Sequence, residues 1–238
     1  MTPEHAQAYA ALAERDPVLA RVISVYGGPS PFEWHDGGRT GTSKFAAMLL
    51  HVVGQQISAQ AAFTIYDRIS AATAGLPTAQ AIAGLGPERL RDCGLSRARA
   101  GYAVALAAAE LSGALDIEHL GSVPDDEAVA RLTAVRGVGL WSAQTFLLHN
   151  LARPDVLPEA DRGIGQAIQQ LWQLERSPSS GQVRHRGLAW SPYRSYAAAL
   201  LWRSLRPAGE PSDPKERALR QRAHRGRTGK AQVDSCAK

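Results

Sequence analysis

Cysteine is scarce in this chain: only Cys93 and Cys236 occur among its 238 residues. Two cysteines are too few for a disulfide framework, an iron-sulfur cluster or a cysteine-rich zinc site. Long apolar runs are also missing, since no stretch approaches the ~20 apolar residues that a membrane span requires. Residues 1–16 are amphipathic and charged, unlike a signal peptide. We therefore expect a cytoplasmic protein with no membrane partner, in which Cys93 is a small buried residue.

The patterning that marks β-strands is lacking as well, because apolar and polar residues nowhere alternate over a sustained stretch. Apolar residues instead recur at helical spacing, as at Phe45, Met48, Leu49 and Val52. This pattern predicts an all-α fold. The predicted helices cover residues 3–13, 16–25, 43–54, 58–73, 78–84, 87–92, 96–113, 125–134, 140–151, 161–175 and 192–205, with N-caps at Ser58, Thr78, Ser96 and Asp125.

The positive charge of the chain is concentrated near its C-terminus. The net charge is +5. Nine of the 27 basic and four of the 22 acidic residues lie in 206–238, so residues 1–205 are balanced. We expect one helical domain over 1–205 and a basic, disordered tail over 206–238, because the tail is rich in Pro, Gly and Arg and poor in large apolar residues. Such a tail is either a solubilising segment or a weak phosphate-binding arm.

Two glycines separate a pair of predicted helices near the middle of the chain. Arg136 is followed by Gly137, Val138 and Gly139, and the next helix begins at Leu140. Glycines permit a sharp turn and leave backbone N–H groups uncovered beside a helix N-terminus, which is a phosphate-sized anion site. By themselves, however, the two glycines favour a plain connection between packed helices.

An extended, proline-containing connection follows the helix after the glycines and leads to Asp161, at the start of another helix. The connection is long enough to return to the glycine turn, because nine extended residues span ~30 Å and a twelve-residue helix only ~18 Å. Asp161 would then face the same ligand as the turn. From the residues alone, an ordinary N-cap is the far commoner role of such an aspartate, and Asp155 and Glu159 are competing carboxylates in the same loop.

Two of these segments resemble a known family. LTAVRGVGLWSA (132–143) is similar to the hairpin of the helix-hairpin-helix DNA glycosylases. RPDVLPEADRGIGQAI (153–168) resembles the catalytic motif of their DNA-3-methyladenine glycosylase II family. The resemblance implies two helical lobes flanking an active-site cleft, with Asp161 catalytic and Asp155 structural. Gly165 departs from the family, which often has arginine there.

Four other positions take their expected roles from the same resemblance. Bifunctional relatives carry a nucleophilic lysine where this chain has Trp141, so we expect no AP lyase activity. Trp141 and Trp202 are expected at the base pocket, although core packing is the ordinary role of a tryptophan. In VVGQQIS (52–58), Gln56 matches the residue that fills the space of a flipped nucleotide, and Gln55 supports it.

The resemblance thus predicts a monofunctional glycosylase of base excision repair that removes alkylated purines, such as 3-methyladenine and 7-methylguanine, from double-stranded DNA. The alternatives are a same-fold glycosylase for a deaminated or oxidised base and a non-catalytic protein that binds damaged DNA. The expected DNA contacts are Gln55, Gln56, Arg136, Gly137, Val138 and Gly139. We expect a nucleoid-associated monomer without catalytic metal or redox cofactor, although the superfamily allows a monovalent ion at the hairpin. About forty residues precede the first matching helix, which suggests a form without the N-terminal sheet domain of some relatives.

Overall fold

The computed structural model describes residues 2–207, 210, 215–221 and 223, and this part of the chain is helical with no β-strand. The all-α prediction is confirmed. None of the described helices is long and apolar enough to span a membrane. The helices are α1 (Pro3–Arg15), α2 (Pro17–Tyr26), α3 (Lys44–Gly54), α4 (Ala59–Ala72), α5 (Ala79–Asp92), α6 (Arg97–Leu111), α7 (Asp125–Thr133), α8 (Leu140–Asn150), α9 (Arg162–Leu171), α10 (Ser180–Gly187) and α11 (Arg194–Ser204).

Three of the four predicted N-caps are confirmed. The side chains of Ser58, Thr78 and Ser96 each accept a hydrogen bond from a backbone N–H in the first turn of α4, α5 and α6. The prediction for Asp125 is wrong, because Pro124 is the N-cap of α7 and Asp125 is the first helical residue. Aspartate is favourable in the first turn of a helix as well as at the N-cap, because both positions lie near the positive end of the helix dipole. The residue type alone therefore does not distinguish the two positions.

Helix α10 was not predicted, and helix α5 is broken where two helices were predicted. Helix α10 begins after a capping box, in which Ser179 and Gln182 exchange hydrogen bonds with each other's backbone N–H groups. That Ser-x-x-Gln spacing was available as a sequence signal. Helix α5 is interrupted at Gly86, whose φ of 67° is non-helical, so the prediction of two short helices describes this segment well.

Two apolar cores divide the helices into two lobes. The first core takes its residues mainly from α3 to α8, and the second takes them from α1, α2 and α9 to α11. Helix α8 belongs to both, since Phe146 and Leu147 lie in the first core and Leu148 lies in the second. The predicted two-lobe architecture is therefore present, and α8 runs along the junction where a cleft can form.

The structure differs from the expected disordered tail over residues 215–221, which are helical. Ala218 is only 4% exposed, and Leu219 packs against the first core. These two apolar residues give the segment an anchoring face that its high content of charged residues conceals in the sequence. The other residues predicted as tail, apart from 206, 207, 210 and 223, lie outside the described part of the chain.

Candidate active site at the junction of the lobes

The glycine turn between α7 and α8 is tightly built. Gly137 has a φ of 93°, and a side-chain carbon at this position would overlap the ring of Tyr102. Val138 is 4% exposed and fixes the turn to the first core. Gly139 has an ordinary φ of −86° and open space around it. Position 137 therefore requires glycine for conformation and packing, whereas position 139 leaves the backbone uncovered.

The N-terminus of α8 faces outward from this turn. Gly139 is its N-cap, and no side chain caps the first N–H groups of the helix. Such a terminus attracts anions because the free N–H groups and the helix dipole both favour negative charge. Arg136 and Leu140 beside it are exposed. The turn has the features expected of a phosphate contact.

The two glutamines after α3 have different surroundings. Gln55 donates from Nε2 to the carbonyl oxygen of Gly137 at 2.9 Å and to Oγ of Ser142 at 3.3 Å, which joins the end of α3 to the turn. Gln56 is exposed and has a φ of 56°. A glutamine in the left-handed region is uncommon, and such strain is often found at functional positions. The structure thus separates a supporting residue from a projecting one.

Asp161 lies at the centre of a set of N–H donors. It is the N-cap of α9, where Oδ1 accepts from the backbone N–H of Ile164 at 2.9 Å. Oδ1 also accepts from Nε1 of Trp202 at 2.9 Å, and Oδ2 accepts from Nε1 of Trp141 at 2.7 Å. Three donors from three different helices hold the carboxyl group in one orientation. The two indoles that sequence reasoning placed at a pocket therefore also position the carboxylate.

The two competing carboxylates are engaged elsewhere. Asp155 accepts two hydrogen bonds from the guanidinium of Arg194, at 2.7 and 2.9 Å. Burial raises the pKa of Asp155, but the hydrogen bonds from Arg194 and Ser191 outweigh that effect and lower it. Glu159 is 7% exposed and forms an ion pair with Arg184. Both carboxylates have arginine partners, which is the arrangement of structural ion pairs.

A cleft of about 830 Å³ opens at Asp161 between the lobes. Trp141, Thr145 and His149 line it from α8, where their spacing of four residues places them on one face. His149 stacks on Trp202, with ring centroids 5.8 Å apart and planes inclined by 17°. Sequence reasoning identified Trp141 but missed Thr145 and His149, although the same spacing could have found them.

The far end of the cleft is built by residues that sequence reasoning did not select. His51 from α3 lines the cleft, and its ring stacks on Trp34 at 4.6 Å. Burial and the charge of Lys215 lower the pKa of His51 to about 3, although a hydrogen bond to Asn150 opposes the shift. Burial, followed by Lys215, also lowers the pKa of His149 well below its usual range. Both imidazoles are therefore neutral at physiological pH.

Two residues of α6 have structural contacts near the hairpin. Arg99 donates from Nη1 to the carbonyl oxygen of Val53, near the end of α3. Tyr102 packs on Gly137, as described above. Within the described residues, no group of three or more His, Cys, Asp or Glu side chains is arranged to hold a metal ion.

Helices α7 and α8 with the glycine turn between them form a helix-hairpin-helix, and an N-capping aspartate lies beside it in an interlobe cleft. The chain matches the family described as HhH-GPD superfamily base excision DNA repair protein over residues 50–192, more than half of its length. This chain belongs to the HhH-GPD superfamily.

Similar proteins agree with this membership. A Bacillus subtilis protein described as a putative DNA-3-methyladenine glycosylase is 30% identical over 170 residues, which are 68% of this chain and 59% of the relative. DNA-3-methyladenine glycosylase 1 of Schizosaccharomyces pombe is 28% identical over 72% of this chain and 78% of its own length. The solved structure of the S. pombe 3-methyladenine DNA glycosylase in complex with abasic DNA superposes with a TM-score of 0.73 at 25% identity, covering 83% of this chain and 96% of that one. The match thus spans less than two thirds of the B. subtilis relative.

Proposed function

We propose that this chain is a DNA glycosylase of base excision repair that hydrolyses the N-glycosidic bond of alkylated purines in double-stranded DNA. The observation that carries the proposal is the Asp161 carboxylate, held by two indole N–H groups and a helix N-terminus in a cleft beside the hairpin. The names of the B. subtilis and S. pombe relatives support the choice of 3-methyladenine-like lesions. The neighbouring structure with abasic DNA supports the choice of ligand.

In this mechanism the hairpin binds the DNA backbone without reading sequence. The N–H groups around Gly139 and the side chain of Arg136 contact phosphate, since such contacts position a duplex without specifying its bases. Val138 anchors the turn, and Gln55 couples it to α3. Gln56 projects into the space that a nucleotide leaves when it is turned out of the stack. The lesion then enters the cleft beside Trp141 and Trp202.

Asp161 performs the chemical role. As the glycosidic bond breaks, positive charge develops on the sugar, and a fixed carboxylate stabilises that charge. The same carboxylate orients or deprotonates the attacking water. The indole N–H groups of Trp141 and Trp202 keep the carboxylate in place, so the tryptophans act on the sugar through Asp161 as well as on the base. Trp141 carries no amine, so no Schiff base forms there and the enzyme is monofunctional.

The decisive experiment compares Asp161→Asn with the unmodified protein on a duplex that contains one 7-methylguanine. We expect the substitution to lower single-turnover excision by at least about a hundredfold, the size typical of losing one electrostatic contact to a transition state. Binding to an abasic-analogue duplex should stay within a few-fold. Asp126→Asn, which removes the same charge from an exposed position on α7, is the matched control. Excision that survives Asp161→Asn would refute the assignment of the catalytic residue.

A further inference from the structure

The helical residues 215–221, called here the C-terminal segment, contribute to the wall of the cleft. Lys215, Glu216, Arg217 and Arg220 all line it. The ammonium of Lys215 lies 3.9 Å from the centroid of the Trp34 ring. An ammonium this close to the face of an indole is attracted by the quadrupole of the ring. Lys215, which lines the cleft, therefore covers a face of the Trp34 ring.

The position of Lys215 is set by its helix. Ala218 is buried, and Leu219 packs against the first core, where it approaches Gly37. Glu216 lies 3.9 Å from His35 and accepts a hydrogen bond from Arg220 at 2.6 Å. These contacts attach the segment to the loop that carries Trp34. The ammonium is thus presented to Trp34 by packing of the backbone.

The charge of Lys215 affects two histidines that line the cleft. It contributes, after burial, to the lowered pKa values of both His51 and His149. At the far end of the cleft the neutral rings of His51 and His149 lie near the ammonium of Lys215, and the cleft lining also includes the carboxylates of Glu33 and Glu216. A second cation brought to this end would meet repulsion from Lys215. The indole ring that Lys215 covers would attract that cation if Lys215 were absent.

We propose that Lys215 is a specificity-determining residue, whose ammonium occupies on Trp34 the place that a purine made cationic by alkylation would take. The proposal rests on the proposed function, because it concerns the base that enters the cleft. Residues 215–221 then discriminate between charged and neutral lesions. Any base contacts this face of Trp34 only when Lys215 leaves the ring, but only a cationic base is also repelled by the ammonium.

The test measures binding, so that its outcome is independent of turnover. Two duplexes differ only in one base, 7-methylguanine or guanine, each on a 2′-fluorinated sugar that prevents excision. The measured quantity is the ratio of the two affinities. We expect Lys215→Met to raise the preference for the methylated duplex by about tenfold, and Lys215→Arg, which keeps the cation, to leave it unchanged. An unchanged ratio in Lys215→Met, or an equal rise in Lys215→Arg, would overturn the proposal.

A second measurement examines the contact without DNA. The chain has four lysines, Lys44, Lys215, Lys230 and Lys238, so reductive methylation can be followed at each by mass spectrometry. The measured quantity is the methylation rate of Lys215 divided by that of Lys44. This ratio should be higher in Trp34→Leu than in the unmodified protein, provided that the two proteins unfold at similar temperatures. Equal ratios would contradict the contact. If the unmodified protein does not excise the base but the binding ratio changes as expected, the proposed function fails and the proposal about Lys215 does not. The two failures are therefore distinguishable.

Discussion

The hairpin with Asp161 and the far end of the cleft differ in how their residues are brought together. Gly137, Gly139 and Asp161 are close along the chain, and each position follows from local rules for turns and helix starts. Trp34, His51 and Lys215 come from a loop, a helix and the C-terminal segment, which are distant in the chain. The comparison teaches that the glycine turn and the placement of Asp161 at a helix start are locally encoded, whereas the far end of the cleft is assembled by long-range packing.

The largest expected effect is a loss of stability on substitution in the glycine turn of the hairpin. Gly137→Ala should lower the free energy of unfolding by about 4 kcal/mol, because the added carbon overlaps Tyr102 and the positive φ disfavours alanine. Chemical denaturation measures the loss. Gly139→Ala, with ordinary φ and open space, is the control and should cost about 1 kcal/mol or less. Equal losses at both positions would show that the packing on Tyr102 is irrelevant.

The next effect concerns the far end of the cleft and its dependence on pH. Since the folded pKa of His51 is about 3, the unfolded chain binds a proton below its ordinary value near 6.5 while the folded chain does not. Stability is therefore lost as pH falls from about 6.5 toward 3, with a contribution of about 3 kcal/mol between pH 7 and 4.5.

Thermal melts of the unmodified protein and of His51→Gln across this range measure that contribution. His51→Gln should reduce the pH dependence and leave the part that comes from His149, whereas His185→Gln, at an exposed position, should leave it unchanged. A pH dependence that is the same in all three proteins would contradict the burial of a neutral imidazole at position 51.

A smaller effect, on excision, tests whether the indole N–H groups hold the Asp161 carboxylate in place. Trp141→Phe keeps an aromatic ring but removes the N–H that donates to Oδ2 of Asp161. We expect excision to fall by about tenfold or more, with little change in affinity for an abasic-analogue duplex, because hydrogen bonds to charged groups contribute about 1.5–3 kcal/mol. Trp202→Phe tests the same role at Oδ1. A loss confined to affinity would assign both indoles to base contact only.

The smallest effect concerns the projecting glutamine. Gln56→Ala should weaken binding to an abasic-analogue duplex by about fivefold, because one polar side chain that fills the vacated space is lost. Fluorescence anisotropy measures the affinity. Gln80→Ala, an exposed position on α5, should bind as the unmodified protein does. An effect of equal size in both variants would remove Gln56 from the DNA interface.

Much of the fold was predictable because helical periodicity and caps are local signals. The boundaries of α3, α4 and α8 lie within a residue or two of those expected, and Ser58 and Ser96 cap where predicted. Helix α10 was missed because few of its residues are apolar, although its capping box was visible. The helical residues 215–221 were missed because two buried side chains, Ala218 and Leu219, anchor a segment of mostly charged composition.

By itself, the sequence determined the helical class, the glycine turn and an aspartate at the start of α9, because each depends on a few neighbouring residues. Only the tertiary structure distinguished the surroundings of the three carboxylates, by pairing Asp155 and Glu159 with arginines and surrounding Asp161 with indole N–H groups. It also decided that Lys215 meets Trp34. Such contacts join residues far apart in the chain, and their geometry follows from how the two lobes and the C-terminal segment pack.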